Sequence, residues 1–388
     1  MRFKLYKPTD IPSELLCAVI MLAALFGNLS PKMGLLGNCI GLFLAMVVLV
    51  DCVIKNRVRL VVLVLFAGSI ILGTYNVMFV GQLLFQRYIV TGVIFFAVGL
   101  YLNVADTLDF RLWRGVFIIA AAFIMLCWFT SPDGYQLFYQ VGRNFVSVLL
   151  FVYLMPMVLA AEKNQVKIWI GYYVLIVMCS ISAIGRSGIA CSALLLCCVA
   201  VYRLLIDEKL TIRRRYINIC FCLMMAAAGY AVLYKYWDKV AGRLFSRFVQ
   251  DNSSSDAARM KILTEYLKTV DSFPKILLGS NSRVIPYLEQ WGGNIHNAYL
   301  MTHASYGVIG ASVLVVSIAA AIVLMLKNGY IELGMLIAVF ALRSFVDSVF
   351  QAKPGDMIAW YCIIYAALQM RIGREVYLIA ARGETGNG

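Results

Sequence analysis

Apolar runs of roughly 20 residues recur along this chain, and few arrangements can house them. A run of that length crosses a bilayer core as a helix, and a helix satisfies its own backbone where no water is present. Twelve spans are read, over 11–29, 33–54, 60–80, 88–104, 114–130, 145–161, 167–185, 188–206, 216–236, 296–325, 331–350 and 357–371. The chain is 62% hydrophobic and 14% charged, with mean hydropathy +0.83. Soluble domains carry about 45–50% apolar and about 25% charged residues. The expected fold class is all-α: a polytopic membrane protein with about 12 transmembrane helices.

Basic residues test that list. Lys4 and Lys7 precede the first span, and Lys55, Arg57 and Arg59 follow the second. Arg111 and Arg114, Lys163 and Lys167, Lys209 with Arg213–Arg215, Lys327, and Arg371 with Arg374 fall after the even-numbered spans. The intervening short loops are poorer in bases, with Lys32, Arg87, Arg143 and Lys353, and Arg186 in the tight turn between spans seven and eight. The positive-inside rule then places both termini in the cytoplasm. The net charge of +14 is thereby a topological charge. No basic, aromatic-studded soluble domain supports nucleic-acid binding. The 11 cysteines fall in or beside apolar runs and read as small buried hydrophobes. No cleavable signal peptide is read after Met1–Asp10.

Three regions follow: 1–236 with spans one to nine and the Arg186 turn, a large extracytoplasmic loop 237–295, and 296–388 with spans ten to twelve and a tail. Loops beyond about 12–15 residues usually carry function unless disordered. This one is rich in bases, among them Arg247, Arg259 and Arg283, and poorer in acids. That balance favours an anionic substrate over a bound cation. Asn252–Asp256 supplies helix caps before 257–267. Met260, Leu263 and Leu267 make an apolar stripe at helical spacing, which predicts a helix lying along a membrane surface.

The loop ends at Gly292-Gly293-Asn294-Ile295-His296-Asn297, and a hydrophobic helix is expected to begin there. A helix N-terminus is a natural phosphate seat. His296 and His303 are the only histidines, and their spacing of two turns predicts one shared face. Each also has a purely structural reading. Functionally, a base or hydrogen-bond donor suits them better than a metal site, because no HExxH or Cys/His cluster exists. Arg186, flanked by Gly185 and Gly188, is either a snorkelling turn residue or a planar clamp for phosphate. Arg259 is a solvated helix charge or an anion ligand; it sits where a carboxylate would suit the helix dipole better. Arg343 and Asp347, four apart in the eleventh span, pair structurally or line a polar cavity. No Walker loop, Rossmann glycine pattern or hydrolase elbow is present. Neither metal nor cofactor is expected.

His296-Asn297, nine residues, then Gly307-Val308-Ile309-Gly310 resembles the His-Asn-x9-Gly-x-x-Gly signature of the bacterial O-antigen polymerase and O-antigen ligase superfamily. Ile184-Gly185-Arg186-Ser187-Gly188 looks like that family's Ser-Arg segment, with Gly185 in place of the common serine. Ala257-Ala258-Arg259-Met260 is similar to its loop-helix arginine, and Phe273-Pro274-Lys275-Ile276-Leu277-Leu278-Gly279 to the Pro-Leu-x-Gly turn that follows, more loosely. The resemblance implies a fold similar to the C-type glycosyltransferases, in the bacterial inner membrane, with a periplasmic active site and no metal or cofactor. It implies transfer of glycan from an undecaprenyl-diphosphate-linked oligosaccharide to a lipid-linked acceptor glycan, with a chain-length regulator protein as a further partner. Arg186 and Arg259 would stabilise charge on the leaving diphosphate, and His296 would deprotonate or orient the acceptor hydroxyl. Asn297, Arg247, Arg283, His303, Arg343 and Asp347 complete the expected substrate-binding set. The shared motifs do not separate a polymerase from a ligase that uses lipid A core, and polymerase is the preferred reading. A flippase or transporter is the alternative of another class; such folds often show internal repeats, and none is seen.

Overall fold

The structure, a computed structural model, describes residues 11–55, 57–81, 85–130, 136–138, 141–183, 185–206, 258–290, 292–350 and 353–369, with 216, 217, 220 and 224 besides. The expected span 216–236 and the loop up to 257, including Arg247, fall largely or wholly outside these residues. Up to residue 206 the helices are α1 (Ile11–Phe26), α2 (Pro31–Ile54), α3 (Leu60–Tyr75), α4 (Phe85–Val104), α5 (Phe110–Thr130), α6 (Val146–Lys163), α7 (Gly171–Ser182) and α8 (Arg186–Val201). One short antiparallel hairpin, Gln136–Phe138 with Val141–Gly142, joins α5 to α6. The loop contributes α9 (258–269), α10 (Phe273–Leu278) and α11 (Pro286–Glu289). Then follow α12 (Ala298–Lys327), α13 (Ile331–Ser344) and α14 (356–369).

Among the described residues, seven helices are long and apolar enough to cross a membrane: those covering Pro12–Leu29, Pro31–Ile54, Leu60–Val80, Phe110–Cys127, Val146–Lys163, Arg186–Leu204 and Ala298–Lys327. The chain is therefore all-helical in architecture and compatible with a multi-pass membrane protein. Val90–Val104 and Gly171–Ser182 are shorter apolar stretches. α6 is the central post: every residue from Val146 to Ala161 is buried, with α5, α7, α8 and α13 packed around it. At the periphery, α2 and α3 leave Leu35, Phe43, Ile54, Leu60 and Ile71 exposed. A helix apolar on every side needs either a protein core or lipid around it, and these two outer helices have the second kind of surface.

Two expected elements differ in ways that matter for the site. α13 stops at Ser344 instead of running on to 350, so Asp347 lies beyond the helix end and not within a span. α12 starts at Ala298 and is broken at Gly307, whose φ of 63° and ψ of −170° are not helical. A Cβ at Gly307 would overlap the Leu277 carbonyl of α10, so the glycine both permits the left-handed backbone and lets α10 approach. A break frees carbonyls that must find donors in a dry setting. Asn76, buried just after α3, donates from Nδ2 to the Ala304 carbonyl at 3.0 Å. Below the break, residues 308–327 rise about 30 Å at about 1.5 Å each, which matches a bilayer core.

The loop packs on itself. Ile262 and Tyr266 of α9, four apart and so on one face, meet Ile285, Leu288, Ile295 and Ala304. Met260 and Leu267 are exposed, so the stripe read from the sequence points away from this small core. α9 and α10 are separate helices, with Pro274 in the first turn of α10.

Candidate active site

His296 is not in the helix; this departs from the expected shared face with His303. It precedes the N-cap Asn297 and adopts φ of 54°. Left-handed backbone is uncommon for residues other than glycine, though histidine is enriched there. The local sequence builds the turn: Gly292 and Gly293 have φ of 61° and 76°, and Asn294 accepts the His296 N–H on Oδ1 at 2.9 Å. A buried Ser282 donates from Oγ to the Gly293 carbonyl at 2.5 Å. A Cβ on Gly293 would lie 2.6 Å from Cγ of Arg283, so Arg283, itself exposed, supports this turn from below. Asn297 then caps α12, accepting from Tyr299 and Leu300 N–H at 3.0 Å each and donating to the Phe345 carbonyl at 3.1 Å. Two of the N–H groups that could seat a phosphate at this helix end are thus used by the cap.

Opposite His296 lies the turn that ends α13. Asp347 Oδ1 is 4.0 Å from His296 Nδ1. Its Oδ2 accepts from Arg343 Nη2 at 3.2 Å, while Oδ1 takes the Ser348 N–H at 2.9 Å. Arg343 is fully buried in the last turn of α13, where the helix dipole favours a cation. Its Nη2 also donates to the Asn144 carbonyl at 2.9 Å, yet Nε and Nη1 have no hydrogen-bond partner. Lys353 donates from Nζ to Ser348 Oγ at 2.7 Å and to the Ser348 carbonyl, and stands 5.0 Å from the Phe145 ring centroid. Its backbone N–H reaches Asp356 Oδ2 at 3.3 Å.

The charges around His296 are mostly positive. Burial pushes its imidazole below the ordinary range, Asp347 pulls it back up, and Arg259 and Lys353 push it down again. The net effect is a neutral ring at neutral pH, able to accept a proton. Lys353 is itself pushed down by burial, against Asp347 and Asp356. A half-buried Arg259 is thus brought near His296 by α9. Arg186 is the first residue of α8, directly after its N-cap Gly185. A Cβ on Gly185 would sit 3.3 Å from Asn144 Oδ1, so α8 begins against the same residue that receives Arg343.

His303 has a different job. Nδ1 is 2.7 Å from the Tyr266 hydroxyl and Nε2 is 3.0 Å from the Ile276 carbonyl. A carbonyl only accepts, so Nε2 carries the proton and Nδ1 accepts from Tyr266. The ring therefore ties α9 and α10 to α12, and holds the helix that carries Arg259. Burial raises the Tyr266 phenol, which keeps that donor protonated.

Lys353, Ser348 and Asn144 were missed as site residues by reading the sequence. For Lys353 a signal existed: it is a base in a short loop on the side where the alternation of charge predicts few. Asn144 acts here through its backbone carbonyl, which no residue type announces. Among the described residues, no three metal-ligating side chains gather in one place. No protein-family model matches the chain, and no curated protein is significantly similar to it.

Proposed function

We propose that this chain is an inner-membrane glycosyltransferase of the O-antigen polymerase kind, moving glycan from an undecaprenyl-diphosphate donor to a lipid-linked repeat unit at the periplasmic face. The reading rests on one juxtaposition: a histidine held neutral beside Asp347, in a cluster whose other charges include Arg259, Arg343 and Lys353. That histidine also opens the His-Asn-x9-Gly-x-x-Gly motif.

In this mechanism the acceptor hydroxyl oxygen attacks the anomeric carbon from the face opposite the diphosphate. The new C–O bond forms as the bond to the phosphate oxygen breaks, so the anomeric centre inverts. His296 takes the hydroxyl proton. The electron pair leaves on the diphosphate, where Arg186, Arg259 and Lys353 stabilise it; preformed donors of this type are worth about 100- to 1,000-fold in rate each. Asp347 holds Arg343 and tempers the positive field at His296. Gly307 lets α10 pack against α12, which supports the loop that aligns Arg259.

The same chemistry serves a ligase, with lipid A core as acceptor. Deleting the gene in a host that makes O-antigen separates them: single-repeat caps indicate a polymerase, and bare core indicates a ligase. A full-length ladder that survives the deletion overturns both. With purified protein, consumption of lipid-linked repeats into longer chains supports transfer, and translocation of the lipid without consumption supports a flippase instead.

A further inference from the structure

Two exposed apolar stripes end side by side in the fold. Val64, Ile71 and Met78 recur every seven residues along α3 and the π-helical turn Asn76–Val80 that follows it, and all three are exposed. Ile309, Val316 and Val323 do the same along α12 below its break. Seven residues make nearly two helical turns, so each set shares one face. An apolar face of this kind on a span has lipid against it. The stretch Leu60–Val80 has 21 residues, about 31 Å at about 1.5 Å each, and 308–327 is nearly as long; either fills a bilayer core. The hydrogen bond from Asn76 to the Ala304 carbonyl ties the two together. It lies four residues inside the end of the first stretch and four outside the start of the second. Both lengths therefore put this contact within about one turn of the bilayer boundary.

α10 is seated at that boundary. A Cβ on Gly307 would overlap the Leu277 carbonyl, and one on Gly279 would overlap the Ala304 carbonyl, so α10 lies directly against the break in α12. Asn281, just past α10, has its Nδ2 3.2 Å from where a Cβ on Gly81 would be, at the end of α3. The packing thus brings α10, and not only the α9 stripe read from the sequence, to the height of the bilayer surface. α10 is itself two-faced. Phe273 and Ile276, three apart and on one face, are exposed, Phe273 to 73%. Lys275 projects from the other side and pairs with Asp271 at 2.8 Å. Met78 and Phe79 are exposed to 69% and 70% at the end of α3. Large apolar side chains left in water at this height have a better solvent beside them, and amphipathic segments there bury their apolar face about 5–10 Å into the boundary between headgroups and acyl chains.

We propose that Phe273 and Ile276 of α10, together with Met78 and Phe79, insert into the surface of the bilayer that the chain spans and so anchor the folded loop to lipid. The stripes of α3 and α12 both run up to this patch, which makes lipid its continuation; a protein partner would have to interrupt them. The anchor reaches α9 through two bonds: the Ile276 carbonyl of α10 holds His303, and His303 holds Tyr266. The inference stands apart from the transferase reading, and its test involves no turnover.

The test is fluorescence of the full-length protein in lipid nanodiscs, with a tryptophan introduced by Phe273→Trp or by Met78→Trp. The signal of the six native tryptophans is subtracted with the unaltered protein. Phosphatidylcholine brominated high on its acyl chains is expected to quench each added tryptophan about twofold or more, and aqueous acrylamide to quench it about threefold less than free N-acetyltryptophanamide. Strong acrylamide quenching without bromolipid quenching at residue 273 overturns the proposal. Shielding from both quenchers shows a protein surface over the patch, from a second copy or a partner, and overturns it too. Quenching at residue 78 alone removes α10 from the anchor and has the same consequence. A phospholipid with a photoreactive group near its head gives a readout that needs no variant to fold. Crosslinks within 273–278 and 76–80 of the unaltered protein are expected, and crosslinks confined to other segments contradict the anchor.

Discussion

α13 carries a buried ionic cluster at each end, and the two are built to different rules. At its start, Arg203 donates from Nε and Nη2 to the two oxygens of Glu332 at 2.7 and 2.6 Å, and from Nη1 to the Ile168 carbonyl. Tyr173 adds a bond to Glu332 at 2.7 Å, and Glu162 accepts the Glu332 N–H at 2.7 Å at the helix N-terminus. Arg203 itself sits in the π-helical turn Tyr202–Ile206, and Glu162 keeps one buried oxygen without a hydrogen-bond partner. At the other end, Arg343 has two nitrogens unused, His296 holds left-handed backbone, and Arg259, Arg343 and Lys353 face Asp347 and Asp356. A bidentate, geometrically complete pair fixes helices against each other. An incomplete cluster with surplus charge and local strain has the marks of a site awaiting a ligand. The first end fastens α13 to α7 and α8; the second offers an anion a place.

That contrast can be broken by substitution. Glu332→Ala should have the largest effect, because it strands a buried guanidinium. About 3–5 kcal/mol of stability should be lost, read as a lower unfolding temperature in detergent, while turnover per folded molecule is retained. A variant that melts normally but stops turning over would erase the distinction between the two ends. Next is Lys353→Met, which removes a charged donor from the open cluster. A loss of about 2.7–4 kcal/mol, or roughly 100- to 1,000-fold in kcat/KM, is expected with little change in melting.

The smallest effect is in the pH dependence, and it sharpens the comparison most. Activity needs neutral His296, so kcat/KM falls as pH drops through its pKa, which burial has set below the ordinary histidine value. Lys353→Met removes a charge that pushes the pKa down, so the acid limb should move to higher pH. Asp347→Asn removes the charge that raises it, so the limb should move to lower pH. Limbs that stay in place in both variants would show that another group controls the rate.

The helical class and the position of α12 were legible in the sequence because apolar runs and Gly, Asn and Ser caps are local signals. The ends of helices were less so. The apolar run through Ser348-Val349-Phe350 reads as a continued helix, yet Asp347 and Ser348 turn out of it to meet Arg343 and Lys353. The break at Gly307 reads from sequence as half of a motif, and its cause is the approach of the Leu277 carbonyl, a tertiary contact. Arg343 was found as a residue type that is costly within a membrane, Arg259 as a base where the helix dipole prefers an acid, and His296 as a rare histidine where a helix was expected to begin. His303 looked like a companion to His296, but one residue in left-handed backbone moved His296 off the helix and left His303 as a tie to α9 and α10. Lys353 and Asn144 join the site through chain reversals that no periodicity records.

In the proposed mechanism His296 acts on the acceptor hydroxyl within the open cluster. Its most direct test is the turnover of lipid-linked repeats by purified His296→Ala beside its unfolding temperature. A loss of about 100- to 10,000-fold in kcat is expected, with an unfolding temperature close to that of the unaltered protein. Turnover at the unaltered rate by a well-folded His296→Ala protein would contradict it.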